Sequence, residues 1–287
     1  MDNMAATDQI LILCGGMQSG GSSIISWCFL QRSDMDGVFD ANSDIICTVP
    51  EGIDTPYIWY KLTISSFRLC ENIKCAEDEG FHVKPLLVVR DARTTWASLS
   101  HKSYGRNGTT AEDPPLRLRM RRFLEDWQIF RRNGWPMIQY ENFVKSPEHT
   151  LKQTCEALDI PWDSAMISWP KPLDKFTNLH HGNITFLNSK GGGLLNTLRP
   201  EAANNISHPM PAKDLEWLES EFSEFNQVNG YPPHRDIPLD SVDRLVPGFD
   251  VTRRFKWRLR QKPLRMLLYK LGFKDAANLP GVIRNRR

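Results

Sequence analysis

The sequence predicts an α/β protein with a parallel sheet and helices on both faces. Three observations carry this. Residues 10–14, Ile-Leu-Ile-Leu-Cys, form a continuous apolar run that ends at Gly15-Gly16. A strand apolar on both faces belongs in a buried parallel sheet. A second such run, residues 85–89, is closed by Arg90-Asp91. Between and beyond them, strand-like runs alternate with helix-like segments, the pattern of strands joined by crossover helices.

Taken in order, 10–14 is the first strand and Ile24–Leu30 the first helix. Residues 57–64 are the second strand, and 70–79 a helix ended by Gly80. The third strand, 85–89, leads into a helix over about 93–103. Residues 104–116 carry glycine and paired prolines and read as a loop. A basic amphipathic helix covers 117–133, and 137–140 is a short fourth strand. Ser146-Pro147 opens a helix over 147–158. From about 160 the pattern breaks into loops. One helix returns over 211–228, stops at Gly230-Tyr231-Pro232, and a Pro-rich connector over 232–248 leads to a basic tail.

The bulk numbers fit one large domain with an appendage. The chain has 287 residues, is 40% hydrophobic and 24% charged. The expected division is a domain over 1–235 and a basic extension over 236–287. The net charge of +2 hides an asymmetry. Residues 253–287 hold twelve Lys/Arg and one acid, Asp275, leaving 24 basic and 33 acidic residues in the rest. A basic tail on an acidic body implies an anionic partner surface. The six cysteines show no CxxC pair and no Cys/His ligand spacing, which argues against zinc and for a reducing compartment. A Cys70–Cys75 pairing is the weaker alternative. The first residues lack a basic, apolar leader, and ILILC is too short to span a bilayer. The expectation is a cytoplasmic protein with no signal peptide and no transmembrane helix. Sequons at Asn107, Asn183 and Asn205 would matter only in a secretory lumen.

The chemistry starts at Gly15-Gly16-Met17-Gln18-Ser19-Gly20-Gly21-Ser22-Ser23. A Gly-rich turn between a buried strand and a helix can wrap a phosphate with backbone N–H groups. The spacing G-x-x-x-x-G-K-[ST] fits at Gly15, Gly20 and Ser22, the spacing expected of a P-loop-type fold. Gly21 stands where that motif requires lysine, which argues against ATP or GTP hydrolysis. A tight turn with no ligand is the bland alternative.

A second motif, KPLLVVRDARTTWASLSHKSY over 84–104, delivers Arg90 to the carboxyl edge of the sheet. Ser98 follows eight residues later on a helix. Ligands bind at that edge in α/β sheets, and a guanidinium with a hydroxyl suits a phosphate monoester. The alternative is that Arg90 simply pairs with a carboxylate such as Asp91.

These residues resemble the sulfotransferase family that uses 3′-phosphoadenosine 5′-phosphosulfate (PAPS). Members carry a phosphosulfate loop close to K/R-S-G-T-T/S, then a strand followed by R-D/N-P-R/K with a Ser eight residues after the first Arg. Arg90 and Ser98 match, with Ala92 in place of Pro. Residues 139–163, QYENFVKSPEHTLKQTCEALDIPWD, and Ser189-Lys190-Gly191 resemble two later family segments, over about 8–233 in all. The resemblance implies that Gln18, Ser19, Gly20, Gly21, Ser22 and Ser23 hold the 5′-phosphosulfate. It implies that Arg90, Ser98, Lys190 and Gly191 hold the 3′-phosphate. No metal is required. The acceptor would be a hydroxyl or amine of a carbohydrate, lipid or small metabolite.

The chain departs from the family at Gln18, where members place Lys or Arg. That cation meets the charge that develops on the leaving oxygen. Lys61, on a predicted strand, is the first substitute, with Arg32 and Lys190 as others. For the general base, the resemblance points to Glu51 or Asp40, with His101, His180 and His181 as rivals. Two other readings stand beside this: a weak or inactive PAPS-binding homologue, which Gln18 keeps open, and a P-loop kinase or NTPase using the same loop, against which the missing lysine speaks. Helix 117–132 carries Arg117, Arg119, Arg121, Arg122, Arg131 and Arg132. A solvated face is the default there, and contact with an anionic acceptor or the donor is the sharper alternative. The tail over 253–273 mixes cations with apolar residues. It is expected either on an anionic membrane or on an acidic protein surface, its own body included. No nucleic-acid motif accompanies the charge.

Overall fold

The structure is a computed structural model, and it describes residues 9–41, 46–103, 115–176, 193–199, 209–233, 237–240 and 249–278. The first half runs β1 (Ile10–Gly16), α1 (Ser22–Leu30), β2 (Met35–Val38), β3 (Tyr57–Thr63), α2 (Leu69–Asp78), β4 (His82–Val89) and α3 (Ala92–Ser103). Then come α4 (Pro115–Asn133), β5 (Met137–Gln139), α5 (Tyr140–Lys145), α6 (Pro147–Ala157) and α7 (Ala165–Ser168). The chain continues through β6 (Met210–Pro211), α8 (Ala212–Glu221), α9 (Ser223–Val228), β7 (Leu239–Asp240), α10 (Phe249–Lys270) and α11 (Lys274–Asn278).

The main sheet has the order β2-β3-β1-β4-β5, and every pairing in it is parallel. β1 is central because its apolar side chains are buried on both faces. Leu11 and Leu13 join Ile58, Tyr60, Leu87 and Val89 on one face, covered by Ile73 of α2, Trp96 of α3, Trp127 of α4 and Phe225 of α9. Ile12 and Cys14 join Trp59, Leu86, Val88 and Ile138 on the other, covered by Phe29 of α1, Phe143 of α5 and Leu151 of α6. The α/β class with helices on both faces is therefore observed.

Several boundaries differ from expectation. Gly15 and Gly16 belong to β1, so the loop proper is only Met17–Gly21. The edge strand β2 went unpredicted, because Met-Asp-Gly-Val lacks an apolar run. It pairs with β3 through Gly37, where an added Cβ would stand 2.0 Å from the Trp59 carbonyl oxygen. Tyr140 starts α5 rather than ending a strand. The helix expected over 211–228 breaks at Phe222 into α8 and α9. All six cysteines are free, so the Cys70–Cys75 alternative is not realised.

The Arg-rich face of α4 is solvated only in part: Arg131 and Arg132 are exposed, but ion pairs to α8 and α9 hold the face. Arg117 pairs with Asp214 at 2.7 Å, Arg121 with Glu221 at 3.2 Å and Arg131 with Glu224 at 2.5 Å. The helix is thus clamped to α8 and α9. The tail takes the intramolecular option along one side. Lys262 meets Glu71 at 2.5 Å, Lys274 meets Glu79 at 2.7 Å, and the Tyr269 hydroxyl donates to the Cys75 carbonyl at 3.1 Å. Asn278 exchanges hydrogen bonds with both backbone groups of Ile46. Ile46, Phe67, Cys75, Tyr269 and Ala277 form a small core of their own beneath it.

Candidate phosphate-binding site

Besides the six-residue α5 after β5, three helices start at the carboxyl edge of the sheet, after β1, β3 and β4. A helix N-terminus leaves unpaired N–H groups and a partial positive charge. At α2 those groups are taken. Asp126 of α4 accepts from the N–H of Leu69 at 2.8 Å and of Cys70 at 3.2 Å, and Glu71 accepts from Arg68 N–H at 2.8 Å. At α3, Asp91 accepts from the N–H of Arg93 at 2.8 Å and, more weakly, of Thr94 at 3.4 Å. At α1 no side chain caps the start; its N-cap is Gly21. Of the three, α1 alone keeps its amino end for something else.

The loop before α1 is shaped for that. Gly20 N–H donates to the Met17 carbonyl at 2.9 Å, closing the turn. Ser19 at φ 64 and Gly21 at φ 88 are both left-handed. Left-handed residues at a strand-to-helix turn direct backbone N–H groups inward, the geometry of an anion nest. Ser22 is buried at the first turn of α1, Ser23 is half-buried and Gln18 is exposed.

Arg90 follows directly on β4 and turns onto this loop. Its Nη1 donates to the Ser19 carbonyl at 2.8 Å, and its guanidinium lies 4.5 Å from the centre of the Tyr140 ring. Asp91 meanwhile is gripped by Arg93, whose Nε and Nη2 reach it at 3.0 and 2.7 Å and whose Nη1 reaches Glu219 at 2.7 Å. Arg93 is fully buried. The two arginines of Arg90-Asp91-Ala92-Arg93 are therefore divided. The second is tied into the core, and the first is directed at the glycine loop. Ser98 is half-buried on α3. Met17, Gly20, Arg90, Met120 and Phe123 line a small cleft beside the loop, and Ser98 is not part of its wall.

Glu141, next to Tyr140, is a functional neighbour that sequence reasoning did not single out. It accepts from Asp91 N–H at 3.0 Å and from the Tyr231 hydroxyl at 2.9 Å. Burial raises its carboxyl above the ordinary value. It fixes the turn that carries Arg90 and links it to the Gly230-Tyr231-Pro232 stop.

The cation candidates separate cleanly. Arg32 makes a two-pronged pair with Asp34 at 2.8 and 2.7 Å and sits over Tyr57, the first residue of β3. That is the amino edge of the sheet, so Arg32 cannot serve the loop. Lys61 is buried, and its Nζ is held by Asp40 at 2.6 Å and by Thr63 Oγ1 at 3.3 Å. Its charge already has a carboxylate partner, and Asp40 is occupied as well. Cys14, beside this pair, is pushed up to about 12 by burial, so no thiolate stands there. Glu51 is exposed on a turn. Lys190, Gly191, His180, His181, the His101 side chain and the sequons at Asn107, Asn183 and Asn205 lie outside the described residues.

Two further arginines, Arg119 and Arg122 of α4, lie along the connection that follows β3. Along α4, Arg119 reaches the Ile64 carbonyl at 3.4 Å, Arg122 the Ser66 carbonyl at 2.5 Å, and Asp126 the start of α2. The helix thus runs beside the connection after β3, with Arg119 at the end nearest the loop. Ile64 N–H donates to the Gly16 carbonyl at 2.9 Å, one residue before Met17. Arg119 is 7% exposed, and its Nε has no hydrogen-bond partner among the described residues. Neither Arg119 nor Arg122 makes a salt bridge to a carboxylate there. Burial lowers Arg122 from the ordinary arginine value.

No protein-family model matches the chain, and no curated protein matches it. Among solved structures, the chain is similar to the sulfotransferase domain from the Synechococcus PCC 7002 olefin synthase, at 13% identity over 78% of this chain and 98% of that one, with a TM-score of 0.47. It is similar to the sulfotransferase domain from the curacin biosynthetic pathway, at 14% identity over 79% and 99%, with a TM-score of 0.47. It is also similar to mouse sulfotransferase SULT7A1 complexed with PAP, at 11% identity over 78% and 87%, with a TM-score of 0.42.

Among the described residues no group of His, Cys, Asp and Glu side chains is arranged to hold a metal ion. No described helix is long and apolar enough to cross a membrane.

Proposed function

We propose that the protein transfers a sulfuryl group from PAPS to a hydroxyl or amine and releases PAP. The observation that carries this reading is the uncapped amino end of α1, facing a glycine loop and Arg90, while α2 and α3 at the same edge are capped by Asp126 and Asp91. The donor fits this set of groups. Backbone N–H groups at Gly20–Ser23, with the Ser19, Ser22 and Ser23 hydroxyls, would hold its 5′-phosphosulfate. Arg90 and Ser98, with Lys190 and Gly191, would hold its 3′-phosphate. Bound PAPS supplies an activated sulfuryl group; this chain supplies charge and orientation.

The loop carries Gln18 where a cation is expected, so the charge on the leaving oxygen must be met by another group. Arg119 is the better candidate than Lys61. It is buried at the loop end of α4 without a carboxylate, whereas Asp40 already neutralises Lys61. For the proton of the acceptor, Glu51 remains the assignment, because Asp40 is taken by Lys61. The acceptor is a carbohydrate, lipid or small metabolite.

The test is turnover of sulfur-labelled PAPS against a panel of such acceptors. Label moving to an acceptor, with release of PAP, supports the enzyme. PAP binding without turnover on any acceptor would support the non-catalytic reading that Gln18 favours.

A further inference from the structure

From Trp257 onward, the basic tail helix turns one face toward the protein. Lys262, Met266 and Tyr269 turn toward the body, against Glu71, Phe67, Cys75 and Glu79. At 3.6 residues per turn, positions seven apart share a face. Trp257, Leu264 and Leu271 are such a set, and Leu267 adjoins them. This face points away from the body: Leu264 is 51% exposed, Leu267 52% and Leu271 61%. Trp257, and Phe273 just beyond the helix, are exposed too.

Cations border the stripe. Arg260 and Lys270 are exposed beside the leucines, and residues 257–274 hold six Lys/Arg and no acid. We propose that this face of α10 binds an anionic lipid surface, lying flat with its leucines and Trp257 at the acyl boundary and its cations among the headgroups. Exposed apolar side chains rimmed by cations, on a helix too polar to span, are the profile of an interfacial helix. Pairing of the same face between two copies is disfavoured, because it brings Arg260 and Lys270 of both together with no acid between them. The docked face stays on the protein throughout, so binding needs no unfolding. It is also independent of what the glycine loop holds.

The experiment is co-sedimentation of the full chain with vesicles of phosphatidylcholine alone or with about 30% phosphatidylserine. Wild type should bind the anionic vesicles and not the neutral ones, and should release as ionic strength rises. Leu264→Glu with Leu271→Glu, both exposed, should keep the wild-type Tm and weaken binding at least about tenfold. Arg260→Glu with Lys270→Glu should do the same. Absent binding at low salt, or binding indifferent to both double variants, would overturn the proposal. So would a wild-type dimer that the leucine variants split without any vesicle binding, since the stripe would then join two copies.

Discussion

The ring of Tyr140 fills the place where a side chain at Gly21 would stand. A Cβ on Gly21 would lie 2.0 Å from the Tyr140 ring, and Gly21 is held at φ 88. The lysine of a nucleotide triphosphatase loop therefore has no room here. The same ring stacks on Arg90. One aromatic side chain thus excludes the lysine and seats the arginine that faces the loop.

Gly21→Ala should destabilise the fold by about 1–3 kcal/mol through backbone strain and the clash. It should also weaken PAP binding at least about tenfold, because the nest loses its shape. Thermal denaturation and calorimetric titration check both. Gly21→Lys should gain no affinity for Mg-ATP. A stable Gly21→Lys variant that binds Mg-ATP would contradict this account of the loop.

Arg90 and Arg93 should fail in opposite ways. Arg93→Ala strands Asp91 and breaks a buried network, a loss of about 3–5 kcal/mol seen as a lower Tm. Arg90→Ala, which gives up the Ser19 hydrogen bond and the Tyr140 contact, should lower Tm far less than Arg93→Ala and abolish most PAP affinity. The two variants measured side by side distinguish structural from binding arginine.

Arg119→Ala should lower kcat by about 10²–10³ with little change in the Kd for PAP, the signature of a charge used only as the leaving oxygen charges up. Arg119→Lys should recover part of that loss. A variant that loses PAP affinity and kcat together would assign Arg119 to donor binding instead.

Glu141 gives a pH dependence. Burial raises its carboxyl in the folded protein, so the native state holds the proton more tightly than the unfolded one. Its contribution is then most favourable at low pH and is lost as pH rises from about 4.3, the ordinary carboxylate value, through the raised folded value. Glu141→Gln keeps an acceptor for Asp91 N–H and a partner for the Tyr231 hydroxyl, but does not titrate. Denaturant unfolding across that range should show wild type losing stability relative to Glu141→Gln as pH rises. A difference that is flat or grows the other way contradicts the raised value.

The sheet and its loop were legible because their signals are local. A both-faces-buried strand reads as an apolar run, and Gly15 through Gly21 announces a tight turn. Arg90 was legible from its place at a strand end. Which arginine took Asp91 was not, because Arg90 and Arg93 differ only in where the chain carries them. Tyr140 against Gly21 was illegible because the two are far apart in sequence. Arg119 was hidden in a basic amphipathic helix in which Arg117, Arg121 and Arg131 are clamps to α8 and α9. Net charge called for an anionic partner of the tail, but it could not say that one face would take Glu71 and Glu79 while the other kept its leucines outward.

Arg90 and the uncapped start of α1 together are the proposed site for PAPS. Calorimetric titration of PAP on wild type and Arg90→Ala, with Mg-ATP as the competitor control, tests it most directly. PAP binding should fall sharply in the variant, and Mg-ATP should bind more weakly than PAP. Absent PAP binding, or tighter binding of Mg-ATP, would contradict it.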